Sequence, residues 1–277
     1  MKKIILSLLI VFVASYCYPQ KVVKVTNVIE LIKAIASNTT IELSIGRYNL
    51  SKATHTINSN VDWETEEGKK YDPLITNVNN LTIKGVEKVE IVIDATDGAV
   101  LNFRKCSNIT FQNLIIGHTN NGGCDSPVLV FRDVDSVFIN NCELYGSGTA
   151  GFDLYNVNYL SFNNSMIRNC SINLLKIGYS KNIYFKKSEF KETGNESLFY
   201  IYDNTENVFF DNCSIHNNFT YSDVENPQTI FEIEASCKNI KLDKCEIKNN
   251  EYEKFVNDKS LIKLKENTFS GNLFKGL

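Results

Sequence analysis

One short pattern recurs through most of this chain and restricts what it can become. Asn80-LTIKG is followed by Asn108-ITFQN, Ser136-VFINN, Tyr159-LSFNN, Asn182-IYFKK, Asn207-VFFDN, Asn239-IKLDK and Leu261-IKLKE, at spacings of 28, 28, 23, 23, 25, 32 and 22 residues. Units this short cannot each bury a core, so they must stack on one another. One place after each anchor stand Leu81, Ile109, Val137, Leu160, Ile183, Val208, Ile240 and Ile262; two further on stand Ile83, Phe111, Ile139, Phe162, Phe185, Phe210, Leu242 and Leu264. The residues between them are mostly polar. Alternation of period two marks a strand with one buried face.

Other columns complete the unit. Eight places after the anchor come Ile116, Leu144, Ile167, Phe190, Ile215, Ile247 and Phe269, a second inward column. Six places after it the residues are small (Cys142, Ser165, Ser188, Cys213, Cys245), as they are two places before it (Cys106, Val134, Val157, Ser180, Thr205, Cys237). These are interior bends, where cysteine serves as a small hydrophobe. Only Cys213 and Cys245 share a column in adjacent copies, which makes them the one pair placed for a disulfide. A further apolar strand precedes each anchor, as in Val128–Phe131, Phe152–Tyr155, Leu174–Ile177, Leu198–Ile201 and Ile230–Ile233. Strand, bend, strand, loop, strand closes into a coil. The expected fold is an all-β, right-handed parallel β-helix of about eight to nine coils. The asparagines five places after the anchor (Asn113, Asn141, Asn164, Asn212) suit side-chain amide ladders at a turn.

The first part of the chain reads as a cap on this stack. Asn27-VIELIKAIA has helical apolar spacing, an Asn N-cap and Glu30 three residues on. A helix there covers the open end of the first coil against edge-to-edge association. Residues 21–277 then form one domain, with cap and first strands over 21–50 and coils over 74–272. Ahead of it, a basic start and the apolar run IILSLLIVFVA read as an export signal over residues 1–15, cut after Ser15. Cys17 offers a lipid anchor as the alternative, although Tyr16 is a poor residue before a lipidated cysteine. The expected location is secreted, periplasmic or at a bacterial cell surface, with membrane contact only through a lipid on Cys17. The net charge of −3 comes with no basic face, which argues against a nucleic-acid partner.

The strand before each anchor carries the candidate site. Its outward residues stack into one row of Asn102, Val130, Asp153, Lys176, Tyr200 and Glu232, and another of Arg104, Arg132, Tyr155, Tyr202 and Glu234. Tyrosine rings offer flat apolar faces to sugars, and Arg or Lys pairs with uronate carboxylates. Rungs about 4.8 Å apart suit an extended polysaccharide. Substrate contacts are therefore expected from Arg104, Tyr155, Tyr200 and Tyr202. His118 and Trp63, in loops that flank the same face, join them. His118, Cys124 and Asp125 lie close in one loop, and Asp125 is the candidate ligand for a metal ion, with calcium the cofactor considered. The bland alternative is a solvated sheet face of ordinary β-formers.

These features resemble the pectin-lyase-like superfamily, and within it exported bacterial proteins of right-handed parallel β-helix repeats. The strip Val25–Leu50 resembles their cap, Leu74–Asn272 their coils, and NNCELYGSGTAGFDL a tract found in some members. The resemblance implies the fold far more than the activity, because this fold hosts lyases, hydrolases, epimerases, adhesins and tailspikes. Pectin hydrolases of the superfamily use paired aspartates, Gly-His-Gly and Arg-Ile-Lys; this chain has none of these, only Gly117-His118-Thr119. Pectate lyases use clustered acidic calcium ligands and an arginine base; Arg104, Arg132, Arg168, Asp125, Asp133, Asp135 and Asp153 are present without that spacing. Three functions are therefore expected to compete. The first is binding of a polysaccharide or cell-surface glycan along one face. The second is a polysaccharide lyase, more fitting than a glycoside hydrolase, with Arg132 or Lys176 as base and Asp153 beside them. The third is a structural or adhesive solenoid.

Overall fold

The computed structural model describes residues 20–66, 69–119, 125–194, 196–220 and 228–274. The expected export signal, Cys17 and Cys124 lie outside these residues. The chain winds as a parallel β-helix with three ladders. Sheet I holds the strand before each anchor, sheet II the anchor strand and sheet III the short strand that follows. In strand Ala150–Asn163, Phe152–Tyr155 belong to sheet I and Leu160–Asn163 to sheet II; both halves pair in parallel with the coils before and after. Strand Met166–Arg168 then supplies sheet III.

Like stacks on like inside the coil. Phe103 lies on Phe131 at 5.4 Å, Phe185 on Phe210 at 4.7 Å, and Phe199 on Phe231 at 4.6 Å, each pair stacked. All six rings are buried, and each contributes about 1.5–3 kcal/mol by leaving water. The bends explain why asparagine is so frequent. A coil turns at single residues of positive φ: Asn156 (57°) between sheets I and II, Asn164 (48°) between II and III, and Asn169 (53°) after III. Asn tolerates the left-handed region better than most side chains.

The small polar columns have a second use. The N–H after each bend is turned away from the ladder, and a side chain of the next coil accepts from it. Ser165 Oγ accepts from Cys142 N (3.0 Å), Ser188 Oγ from Ser165 N (3.3 Å) and Ser180 Oγ from Val157 N (3.0 Å). Cys213 and Cys245 are buried free thiols. The pair placed for a disulfide is therefore unbonded here; the two Sγ atoms donate to the carbonyls of Phe185 and Phe210, each at 3.4 Å. The amide ladder also differs from its expected column. One rung joins Asn141 to Asn113 (2.8 Å), but longer runs form at the anchor itself, through Asn38, Asn80 and Asn108 and through Asn182, Asn207 and Asn239.

The helix Val28–Ala34 caps the first coil. Asn27 Oδ1 accepts from Glu30 N (3.0 Å), Glu30 Oε2 accepts from Thr26 N (2.8 Å), and Leu31 and Ile32 are buried. The insert before the first full coil forms an antiparallel hairpin, Val61–Glu66 with Lys69–Thr76. Trp63 on it is 5% exposed and belongs to the core. Its side chain packs in the core, where little of it is left for the expected substrate contact.

Candidate functional site

The outward face of sheet I is assembled by register. Asn102 pairs with Val130, Val130 with Asp153, Asp153 with Lys176, Lys176 with Tyr200, and Tyr200 with Glu232. Beside this row, Arg104 pairs with Arg132, Arg132 with Tyr155, Tyr155 with Gly178 and Gly178 with Tyr202. Inward neighbours such as Phe131, Leu154, Ile177 and Ile201 are fully buried, so alternation commits both rows to the outside. The end of the first row is covered: Asn102 is 3% exposed and donates to Asp72 Oδ2 (3.2 Å) on the hairpin.

The open part centres on one ion pair and a group of rings. Arg132 Nη2 donates to Asp153 Oδ2 at 2.8 Å, with the side chains 40% and 16% exposed. Arg132 thus reaches diagonally to the next coil and keeps part of its guanidinium in solvent. Among the described residues Lys176, half-buried between Asp153 and Tyr200, makes no ion pair. Tyr200 and Tyr202 stack nearly parallel, 4.8 Å apart at 9°. Tyr202 also lies across Gly178, where an added Cβ would come within 2.4 Å of its ring. This lets Tyr202 reach back over one coil to Tyr155, at 6.4 Å. Tyr179 stacks on Tyr155 from the turn, at 6.2 Å and 25°. The far edge is acidic but engaged: Glu234 accepts from Tyr200 Oη (3.1 Å) and Asp203 N (3.0 Å), and Glu232 from Ser197 Oγ (2.8 Å).

The phenols on this face hold their protons. Tyr200 and Tyr202 are pushed up to about 12, both chiefly by burial, then by Glu234 at Tyr200 and by Asp153 at Tyr202. Both stay neutral phenols at physiological pH, able to donate hydrogen bonds but not to act as bases. Arg132 is a permanent cation, and its partner on this face is the Asp153 carboxylate. Asp153 and Glu232 stand three rungs apart, about 14 Å. That exceeds the roughly 5–9.5 Å that separates the carboxyl pair of most glycosidases.

Other expected site residues are placed elsewhere. His118 has no exposed surface; its Nε2 donates to Gly98 O at 2.8 Å and burial lowers its pKa. Strand Ser107–His118 runs through to this residue, carrying it into the interior and out of reach of a ligand. Asp125 is exposed, with its N–H on Thr96 O (2.8 Å). Among the described residues no three His, Cys, Asp or Glu side chains converge as a metal site. Gly178 and Tyr179 belong to the site without having been foreseen. The only trace of Gly178 is an empty rung between two tyrosines. A second outward track, on sheet II, was also not anticipated: Phe138, Tyr159, Tyr184 and Phe209 follow one another at 5.5, 5.6 and 5.3 Å, the first two pairs tilted and the last stacked.

Solved structures share this architecture at low identity. Pectate lyase Pel9A superposes with a TM-score of 0.55 at 12% identity, covering 87% of this chain and 63% of its own. The chain therefore spans less than two thirds of that enzyme. The surface protein and adhesin PfbA of Streptococcus pneumoniae gives 0.50 at 12% identity, covering 92% of this chain and 89% of its own. Both likenesses are of fold. No curated protein sequence matches the chain. Coil, turn and ladder agree with the family model described as "Right handed beta helix region", which matches residues 99–277, and the chain belongs to that family.

Proposed function

We propose that this protein binds an extended acidic polysaccharide along the outer face of sheet I and does not cleave it. The observation that supports this reading most is the tyrosine group of Tyr155, Tyr200 and Tyr202 flanked by Arg132 and Lys176 on one open face. Rings take the apolar faces of sugars, and the two cations take their carboxylates. The fold is compatible with either role, since one neighbour is named a pectate lyase and another a surface adhesin. The leader-like start, MKKIILSLLIVFVAS, supports placing the activity outside the cytoplasm, secreted, periplasmic or on the cell surface.

The test is titration calorimetry of the purified protein with polygalacturonate, alginate and a neutral glucan, alongside ultraviolet absorbance for unsaturated product, with and without calcium. The expected result is binding of an acidic polymer without product. Arg132→Ala should weaken it about tenfold or more, the scale of a lost charge-assisted hydrogen bond. Product that disappears in Arg132→Ala or Lys176→Ala would replace this reading with a lyase. No binding of any polymer would overturn it.

A further inference from the structure

Tyr179 occupies a position that its own backbone disfavours. It sits at the bend between sheets I and II with φ of 48°, where the equivalent residues are Lys105 (54°), Asp133 (57°) and Asn156 (57°). Short polar side chains suit left-handed backbone, and a bulky aromatic there is a true outlier. Burial does not offset that cost, because Tyr179 is 57% exposed. Among the described residues its ring meets that of Tyr155 alone, which also meets Tyr202. Tyr155, Tyr200, Tyr202 and Tyr179 therefore form a continuous run of rings that leaves the sheet and rounds the bend.

We propose that Tyr179 is a ligand-contacting ring, extending the sugar platform off sheet I onto the bend. This rests on the reading of sheet I as a glycan-binding face. Strained residues persist where the strain serves a site, and Tyr179, packed against Tyr155 but mostly in solvent, gains little burial in return. The ligand it fits is a pyranose whose apolar face lies against the exposed side of the ring, one sugar beyond those over Tyr155 and Tyr202. A glycan bound here bends with the surface at this coil.

Three variants test this against wild type: Tyr179→Asn, Tyr179→Phe and Arg132→Ala. Each is titrated with polygalacturonate and alginate and melted without ligand. Tyr179→Asn should bind about five- to tenfold more weakly, the loss of one aromatic contact. It should melt no lower than wild type, because Asn suits this backbone. Tyr179→Phe should bind as wild type does. If Tyr179→Asn binds normally while Arg132→Ala is weakened, this inference fails and the groove reading stands. A melting point several degrees lower in Tyr179→Asn would make the ring structural and overturn the inference. If wild type binds neither polymer, both readings fall.

Discussion

His118 carries a pH signature that a single substitution can test. Its Nε2 donates to Gly98 O, so Nδ1 is the bare nitrogen, and it is buried without a partner. Protonation would place an unpaired N–H and a charge in the interior, which is why burial lowers the pKa. A lowered pKa means the unfolded chain takes up the proton first. Stability is then fully present above the unfolded value of about 6.5 and is lost as pH falls from there through the folded value. Urea unfolding between pH 7.5 and 5 should show this decline, and His118→Gln should flatten it relative to wild type. The later loss in acid should remain, because the Thr119 hydroxyl and the Asn49 amide hold the pKa of Asp94 below its ordinary value. An identical slope in the variant would remove His118 as the cause. Sequence pattern assigns this histidine to a loop because glycine and polar residues surround it; the strand that carries it inward is visible only in its pairing with Ile93. Trp63 misleads for the same reason, since a hairpin that roofs a core looks like a polar insert. Tyr155, Tyr200 and Tyr202 were legible because their register follows from strict alternation. Tyr179 was not, because left-handed backbone is not written in the identity of an aromatic.

At the scale of elements, the side-chain ladders hold the bends and differ in what they contribute. Asn250 is fully buried. Its amide donates to Ile215 O (2.9 Å) and Asn272 Oδ1 (2.9 Å), and its Oδ1 accepts from both the backbone and the side chain of Asn218 (3.2 and 2.8 Å). Asn108 is exposed and contributes one rung, to Asn80 Oδ1 at 2.7 Å. Removing a buried partner leaves donors and acceptors without water, at about 1–3 kcal/mol for each group. Asn250→Leu should therefore cost about 3 kcal/mol or more in chemical denaturation. Asn108→Gly, which keeps the left-handed backbone, should cost about 1 kcal/mol or less. Equal costs would show that the ladders act through backbone conformation alone. The frequency of asparagine reveals that such bends exist. Which column forms the ladder depends on side-chain direction, and one-letter columns five places from the anchor do not carry it.

Across the whole molecule, the repeat turns a local site into a measured length. From Arg104 to Glu234 the second outward row crosses five inter-coil steps, about 24 Å at 4.8 Å each. The hairpin covers one end, where Asn102 is buried against Asp72, and Glu232 and Glu234 close the other with negative charge. The recurring columns foretold this geometry, because strands of like pattern stack rung on rung whatever the length of the loops between them. The lengths of the intervening loops did not say which rungs stay open. An anionic glycan should gain nothing by extending past the acidic end. Affinity for a size series of oligogalacturonates or oligoalginates should rise with each sugar until the extended oligomer spans about 24 Å, and then level off. A plateau after one or two sugars would confine the site to the Arg132–Tyr155–Lys176 neighbourhood. A rise continuing well beyond that span would mean that the glycan follows the bend at Tyr179 onto sheet II, and the aromatic track of Phe138, Tyr159, Tyr184 and Phe209 would then be the surface to mutate.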